Sequence, residues 1–320
     1  MTSLVLLTDR AWPDDAIERT IIEGAGFTLA SGPPIAGTAT EIEALVQAHE
    51  PSAIMTCWAP VSATAIAGPR DLKVIARLGV GLDNIDVTAA TARGAFVTNV
   101  PDYCVEEVSD HAVGMLLAWA RGLVSFDRSV KSGAWAPASA SLHRVRDLTV
   151  GIFGLGRIGS LTARKLAPFG VRLIAHNRGP LPRLDVAVEA VTFEALLDQS
   201  DVVIIHAPLT EETRHRFGSH TFARMKFGAL LINLSRGPIV DNAALNEALD
   251  SGRLGGAALD VVDGEPTPPA DIVARPDVIV TPHIGFSSSA SLAELRRRAA
   301  EDVVRVLRGE APLHPCNLTA

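Results

Sequence analysis

The chain has 320 residues, of which 48% are hydrophobic and 20% are charged, and its formal net charge is −7. This length and apolar content allow a large buried core and two domains, and the negative charge disfavours non-specific binding to nucleic acid or anionic lipid. No apolar run approaches the roughly 20 residues of a membrane-spanning helix, so we expect no membrane association.

The N-terminus and the cysteines bear on cellular location. The opening stretch MTSLVLLTDRAW has no basic region and reaches Asp9 after a short apolar run, unlike a secretory signal. Cys57, Cys104 and Cys316 are far apart and form no C-x-x-C pair, so neither a disulfide framework nor a metal site is indicated. We therefore expect a cytoplasmic protein without a bound metal.

Short apolar runs predict four strands in the first hundred residues, at 4–9, 53–57, 74–79 and 95–100, with helices between them. A long helix is predicted from Val105 to Arg121, and the irregular segment KSGAWAPASAS follows it. Six further runs predict strands: LTVGIFG, VRLIAH, DVVIIHA, ALLINLS, GAALDVV and VIVTPH.

For two helices in the second half of the chain, the sequence predicts which residues share a face. RIGSLTARKLAPF places Ile158, Leu161, Leu166 and Phe169 on roughly one helical face, and Gly170 ends the helix. SLAELRRRAAEDVVRVLRG predicts a last helix, on which we expect the run Arg296 to Arg298 to form a solvated face.

The alternation of strands and helices predicts an α/β protein with two doubly wound parallel-sheet domains. Because the last helix follows the final strand, we expect it to cross back to the first domain. The prediction is a discontinuous, flavodoxin-like outer domain for substrate, 1–101 with 288–320, and an inner Rossmann domain, 102–287.

A glycine-rich run predicts a dinucleotide site in the inner domain. Gly154, Gly156 and Gly159 form G-x-G-x-x-G directly after a predicted strand and at the start of a helix. The first glycine allows a tight turn, the second lets the backbone approach a pyrophosphate, and the third lets helix and strand pack closely. The N–H groups at the helix N-terminus then face the phosphate charge.

Polar residues follow the predicted strands where ligands bind in open α/β sheets, beyond the carboxyl ends. We expect them to converge on one crevice: Asn177, His206, Ser235 with Arg236, Asp260, and His283.

Three side chains in these loops have the chemical properties that the reduction of a 2-oxo acid requires. Arg236 has the planar fork that holds a carboxylate, and His283 is a side chain that titrates near neutrality. Glu265 is a carboxylate that can stabilise an imidazolium. Taken singly, each has a structural alternative: a surface arginine, a turn glutamate, or a histidine bonded to backbone.

With these residues in place, the chain resembles the D-isomer-specific 2-hydroxyacid dehydrogenases from about Val74 to Leu307. The resemblance rests on six motifs: LGVGLDNID at 78–86, VGIFGLGRIG at 150–159, HAPLTEET at 206–213, INLSRGPIVD at 232–241, ALDVVDGEP at 258–266 and TPHIGF at 281–286.

The resemblance implies roles for individual residues. Arg236 would bind the 2-oxo acid, and His283 would be the general acid in reduction and base in oxidation, paired with Glu265. The backbone at Val80 and Gly81 would hold the substrate carboxylate. Besides the three glycines, the residues implied to line the cofactor are Arg157, Ile158, Pro208, Leu234, Ser235, Asp260 and Gly285. Asn177 and Arg178, after the second strand of the inner sheet, are expected to line it as well. A homodimer is also implied, with Trp135 either in the dimer contact or covering a hydrophobic edge.

One departure from the family pattern concerns the cofactor. Members that use NAD place an Asp after the second strand of the inner sheet, whereas this chain has Asn177 and Arg178. A carboxylate there would repel the 2′-phosphate of NADP, while Asn removes the charge and Arg adds a donor fork. The sequence therefore favours NADP(H), with NAD bound through Asn177 alone as the alternative.

The sequence specifies the substrate less closely than the cofactor. The NADP preference and the small outer domain resemble glyoxylate and hydroxypyruvate reductases, and we expect no regulatory domain after the last helix. The sequence does not determine whether Tyr103 or Cys104 contacts the substrate. Two alternatives remain, a nucleotide-sensing protein similar to the C-terminal-binding-protein corepressors and a phosphite-type dehydrogenase. Formate oxidation is disfavoured because formate dehydrogenases carry Gln where this chain has Glu265.

Overall fold

The computed structural model describes residues 3–318, which fold into alternating strands and helices. The strands are β1 Leu4–Leu7, β2 Thr28–Ser31, β3 Ala53–Thr56, β4 Val74–Arg77, β5 Phe96–Thr98, β6 Thr149–Phe153, β7 Arg172–His176, β8 Glu189–Ala190, β9 Val202–Ile205, β10 Ala229–Asn233, β11 Leu254–Leu259 and β12 Val278–Val280. The α-helices are α1 Ala16–Gly24, α2 Ala39–His49, α3 Ala63–Ala67, α4 Val87–Arg93, α5 Val105–Ala120, α6 Leu123–Lys131, α7 Arg157–Leu166, α8 Phe193–Gln199, α9 Ser219–Arg224, α10 Asn242–Asp250, α11 Ala270–Val273 and α12 Ser289–Leu307.

The chain divides into two compact units, unit 1 (Met1–Tyr103 with Ser288–Ala320) and unit 2 (Cys104–Ser287). Unit 1 has a parallel sheet in the order β2-β1-β3-β4-β5, which is the flavodoxin-like order. In unit 1, α12 packs against α1 and against the central strands β3 and β4.

Unit 2 has a seven-stranded parallel sheet in the order β12-β11-β10-β9-β6-β7-β8. This is the Rossmann order extended by one strand, and the order reverses between β6 and β9. The predicted α/β class with two doubly wound parallel sheets is therefore confirmed.

Strands buried on both faces were the easiest to predict. All residues of β3, β9 and β10 are buried, as is typical of parallel strands covered by helices on both sides. Strands β2 and β8 were not predicted from the sequence. Both lie at sheet edges, and their exposed or polar residues do not form an apolar run.

The predicted apolar face of α7 is partly wrong. Leu166 is buried, but Phe169 is 40% exposed. The α-helix ends at Leu166 and continues as a 3₁₀ turn over Ala167–Phe169, which changes the residue period from 3.6 to 3 and turns Phe169 away from the core. The helix buries small residues instead: Gly159, Ser160, Thr162 and Ala163.

The expectation of a solvated arginine face on α12 is also wrong. Arg296 is buried and makes a bidentate ion pair with Glu18 of α1, with Nε to Oε1 at 2.9 Å and Nη2 to Oε2 at 2.8 Å. Arg298 pairs with Asp102 and Glu294, and of the three only Arg297 has a mainly exposed side chain. Because α12 packs on α1, one arginine of the run meets a buried carboxylate.

No helix within residues 3–318 is both long enough and apolar enough to cross a membrane.

Candidate active site

Six neighbouring strands of unit 2, from β12 to β7, end at one edge of the sheet, and their loops carry most of the residues singled out in the sequence. The loops contain Gly154 after β6, Asn177 after β7, His206 after β9, Ser235 and Arg236 after β10, Asp260 and Glu265 after β11, and His283 after β12. This edge includes the reversal between β6 and β9, where open α/β sheets bind their ligands.

The glycine-rich loop has the shape that a pyrophosphate requires. Gly154 has φ +102°, and a Cβ built on it would lie 2.5 Å from the Ala207 amide nitrogen. A Cβ on Gly159 would collide with the Gly154 carbonyl oxygen, so the helix packs closely on the turn. Nothing lies within 4 Å of a Cβ on Gly156, which leaves open space beside the backbone.

The N-cap residue of α7 is Gly156, which provides no side-chain cap, so the first N–H groups of the helix can bind an anion. Arg157 is exposed and Ile158 is partly buried on this first turn. The residues present therefore fit a dinucleotide phosphate.

The tip of β7 holds the glycine-rich loop from the side. Asn177 Oδ1 accepts a hydrogen bond of 2.5 Å from the Leu155 amide. Arg178 is 86% exposed and its Nη1 lies 3.6 Å from Oε2 of Glu212. The Asn carboxamide thus supports the loop, while the Arg fork stands in solvent beside one carboxylate.

His206 is a neutral side chain behind the glycine-rich loop. Its Nε2 lies 3.0 Å from Oγ1 of Thr162 on α7. Burial lowers the pKa of His206 to about 4, so the imidazole is uncharged at neutral pH. Two residues farther on, Pro208 is exposed and accepts a hydrogen bond from Thr213 Oγ1.

Arg236 begins the turn after β10. The Asn233 side chain ties this turn together, since its Oδ1 accepts from the Ser235 amide at 3.1 Å and its Nδ2 donates to the Arg236 carbonyl at 2.9 Å. Ser235 Oγ donates to the Ala207 carbonyl and links the β9 and β10 loops. Leu234 is buried close to Gly285.

His283 and Glu265 are brought together although they lie in different loops. The distance from His283 Nδ1 to Glu265 Oε2 is 3.2 Å. A carboxylate only accepts, so Nδ1 carries the shared proton and Nε2 is left as the nitrogen that can exchange a proton with a ligand. His283 has φ +54°, a backbone conformation that non-glycine residues rarely adopt.

Asp260 is buried beneath the His283 loop. Its Oδ1 accepts from the Ile284 amide at 2.9 Å, and its Oδ2 accepts from the Gly285 amide at 2.8 Å. Thr281 Oγ1 donates to Oδ1 at 2.6 Å, and His111 Nε2 lies 3.0 Å from Thr281 Oγ1. His111 and Thr281 were not among the residues predicted from the sequence. His111 belongs to none of the six motifs, Thr281 only opens the TPHIGF motif, and their contact joins residues far apart in the chain.

The substrate residues predicted in unit 1 lie in the loop after β4. Val80 is partly exposed and its carbonyl accepts from Asn99 Nδ2 at 2.7 Å, while Gly81 follows it in the same loop. Tyr103 is buried at the end of unit 1, and Cys104 is buried at the start of α5 in unit 2. Neither side chain offers much surface to a ligand.

Among residues 3–318, no group of three or more His, Cys, Asp or Glu side chains is arranged to hold a metal ion.

The comparisons with known proteins agree with this geometry. The family model described as the NAD binding domain of D-isomer specific 2-hydroxyacid dehydrogenases matches residues 113–285. A glyoxylate reductase of Korarchaeum cryptofilum is 40% identical over 260 residues, which cover 79% of this chain and 78% of that protein. A D-3-phosphoglycerate dehydrogenase of Mycobacterium leprae is 38% identical over 250 residues, but these cover 78% of this chain and 47% of that protein, so the chain spans about half its length.

Among solved structures, an NADPH-dependent glyoxylate/hydroxypyruvate reductase from Sinorhizobium meliloti, in complex with NADP and malonate, has a TM-score of 0.86 and 30% identity. The alignment covers 98% of this chain and 97% of that chain. The resemblance stated from the motifs is thereby confirmed. The chain belongs to the D-isomer-specific 2-hydroxyacid dehydrogenases and is an oxidoreductase that binds a nicotinamide dinucleotide.

Proposed function

We propose that the chain reduces small 2-oxo acids of the glyoxylate and hydroxypyruvate type to D-2-hydroxy acids, with NADPH preferred. The observation that carries this proposal is the placement of Arg236, Glu265 and His283 after three adjacent strands, β10 to β12, with His283 Nδ1 at 3.2 Å from Glu265 Oε2. The similarity to proteins named glyoxylate reductase supports the substrate class.

In this proposal, Arg236 binds the acid. Its guanidinium offers parallel N–H donors to the carboxylate and polarises the neighbouring carbonyl oxygen. His283 donates the proton from Nε2 to that oxygen as the carbonyl becomes a hydroxyl, and Glu265 stabilises the charge of the imidazole by accepting from Nδ1. In unit 1, we assign the binding of the carboxylate to the backbone at Val80 and Gly81.

The dinucleotide, when bound, supplies a hydride to the carbonyl carbon. The loop from Gly154 to Gly159 and the N-terminus of α7 would hold its pyrophosphate. Leu234, Ser235 and Gly285 belong to the loops along the same strand edge. The chain's own residues therefore provide orientation and the proton, and the cofactor provides the electron pair.

The preference for NADPH rests on the tip of β7. Asn177 places no carboxylate there, and Arg178 presents a solvated donor fork that suits a 2′-phosphate. Glu212, at 3.6 Å from Arg178, offsets part of this attraction. We therefore infer a measurable but moderate preference.

We also propose a homodimer formed through the arm, which we define as residues 121–147. Helix α6 in this arm buries none of its side chains, and Trp135 is 84% exposed. A helix of nine residues is marginal in water without tertiary packing, and α6 packs only partly, against α5, so we infer that another surface covers the arm. A second copy of the chain is the partner that the resemblance implies.

The test of the function is the initial rate with glyoxylate and with hydroxypyruvate, each with NADPH and with NADH at matched concentrations. We expect the highest kcat/KM with NADPH and one of these acids. The His283→Gln variant is the control, and it should lose about 100-fold or more in kcat while still binding NADPH.

Three results would change the assignment. Higher turnover with NADH would leave the dehydrogenase intact and reject the role of Arg178. No reduction of either acid, with intact NADPH binding, would move the proposal to another 2-oxo acid or to a nucleotide-sensing protein. Oxidation of phosphite in place of both acids would indicate a phosphite-type dehydrogenase.

A further inference from the structure

We propose that His111 and Thr281 are positioning residues for the proton-transferring loop, here called the His283 loop (residues 281–286). They act on it through the carboxylate of Asp260. This inference rests on the proposed role of His283. It adds a function for a helix residue that no catalytic motif contains.

The Asp260 carboxylate is held in one orientation by the His283 loop. Asp260 is 3% exposed, so its charge must be met by hydrogen bonds within unit 2. Both oxygens accept amide protons from the His283 loop, Oδ1 from Ile284 and Oδ2 from Gly285. A Cβ on Gly285 would lie only 2.8 Å from Oδ2, so glycine is needed at this close approach.

The hydrogen bonds from His111 through Thr281 to Asp260 all run in one direction. Thr281 Oγ1 lies 2.6 Å from Asp260 Oδ1, and the carboxylate can only accept, so the threonine hydroxyl donates to it. The hydroxyl has one proton. His111 Nε2, at 3.0 Å from Oγ1, must therefore donate to the threonine oxygen, which assigns the ring proton to Nε2.

This series of hydrogen bonds holds the backbone of His283 in place. The backbone of His283 has φ +54°, a conformation that is strained for a residue other than glycine and persists only where the surroundings enforce it. Its amide donates to the Asp260 carbonyl at 2.8 Å, and the next two amides donate to the Asp260 carboxylate. Thr281 and His111 fix the rotation of that carboxylate.

The position of His111 explains why a helix residue can act here. Helix α5 packs against β10 and β11, whose loops carry Arg236 and Asp260. The neighbouring Asp110 instead bonds to Lys165 at 2.7 Å. His111 and Asp110 therefore form a matched pair on α5. His111 belongs to the hydrogen bonds that reach Asp260, and Asp110 does not.

The experiment compares Thr281→Val and His111→Leu with the parent enzyme. Thr281→Val keeps the shape of the side chain and removes the hydroxyl, and His111→Leu removes the ring donor. Thr281→Ser and His111→Gln keep a hydroxyl and a terminal N–H donor, so both should restore the parent behaviour. Asp110→Asn is the control on the same helix.

Two measurements are made on each variant. Hydrogen–deuterium exchange of the peptide covering 281–286 reports the loop without reference to activity. We expect about tenfold faster exchange in Thr281→Val and His111→Leu. We also expect kcat for the 2-oxo acid to fall about 10- to 100-fold with KM within about threefold, because the proton donor is misplaced while Arg236 is untouched.

The double variant Thr281→Val/His111→Leu should be no worse than either single variant, since both break one chain of hydrogen bonds. Unchanged loop exchange in Thr281→Val would overturn the inference, whatever the substrate proves to be. Faster exchange with unchanged kcat would overturn the link to catalysis and would count against His283 as the proton donor. Equal loss in Asp110→Asn would reduce His111 to a residue that merely stabilises α5.

Discussion

The side chains at the candidate site are held by contacts from other loops of unit 2. Asn177 bonds to the glycine-rich loop, Ser235 bonds to the loop after β9, and Asp260 bonds to the His283 loop. These three residues were expected to line the cofactor, and their polar atoms also fix the loops themselves. Substituting one of them therefore changes the geometry of a loop as well as a single ligand contact.

Arg178 and Glu212 are predicted to set the selectivity for NADPH over NADH. Arg178→Ala should lower the ratio of kcat/KM for NADPH to that for NADH by about tenfold, because a charged donor to the 2′-phosphate is lost. Glu212→Gln should raise the ratio a few-fold, because the competing carboxylate disappears. Steady-state kinetics with both cofactors measure the two ratios.

The control for this prediction is Arg183→Ala, which removes the same charge from an exposed arginine of the same loop. An unchanged ratio in Arg178→Ala, or an equal drop in Arg183→Ala, would contradict a direct contact with the phosphate.

The stability of the chain should fall in mild acid because of His206. Its folded pKa is about 4, against an ordinary value of 6.5. Above pH 6.5 the imidazole is neutral in both states, and as pH falls towards 4 only the unfolded chain takes up the proton. The free energy of unfolding therefore falls as the pH is lowered across that window, by up to about 1.4 kcal/mol per pH unit.

Urea unfolding at pH 7 and at pH 5 measures this effect. His206→Gln should show a smaller loss of stability between the two pH values than the parent chain. The matched control is His220→Gln, at an exposed histidine of α9, and it should keep the parental loss. A parental loss in His206→Gln would show that His206 is accessible to protons in the folded state.

At the scale of elements, periodicity and burial explain which parts of the fold were predictable. The apolar runs of β3, β9 and β10 are buried on both faces, and local composition identifies them. The edge strands β2 and β8 have no such run, so only their pairing with a neighbour defines them. Helix α12 was found by its period, but the burial of Arg296 depends on where α1 lies.

The ion pair between α1 and α12 is predicted to affect the free energy of unfolding. Arg296→Met should lower the free energy of unfolding by about 3–5 kcal/mol, because Glu18, which is fully buried, loses its partner. Chemical denaturation followed by circular dichroism measures the change. Arg297→Met, on the exposed face, should cost less than about 1 kcal/mol.

A second variant separates the charge from the packing. Glu18→Leu/Arg296→Met removes both charges and should recover most of the lost stability. If the double variant is as unstable as Arg296→Met alone, the loss comes from packing against Trp12, whose ring lies 5.2 Å from the guanidinium carbon of Arg296.

At the scale of the whole molecule, the arm is a segment in which no residue is fully buried. Its exposed apolar side chains are Leu123, Val124, Val130, Trp135 and Leu142. Monomeric proteins seldom expose several apolar side chains together, and such surfaces mark interfaces.

The proposed homodimer predicts the molecular mass of the protein in solution. Light scattering should give the mass of two chains for the parent, and Leu123→Asp/Val130→Asp should shift the protein to the mass of one chain, because charges would be buried in the interface. The control is Phe227→Ser, at an apolar residue that is 76% exposed outside the arm. A parent that has the mass of one chain across a wide concentration range would contradict the dimer.

Local sequence determined the fold class and the family of this protein. Strand-length apolar runs, the spacing of Gly154, Gly156 and Gly159, and the motifs around Arg236, Glu265 and His283 lie within short segments, where neighbouring residues alone set the pattern. Tertiary structure decided the rest. The burial of Arg296 on Glu18, the bonds of Asp260 to the His283 loop and the contact of His111 with Thr281 each join residues far apart in the chain. Such contacts form only when the sheets and helices pack, so no local pattern contains them.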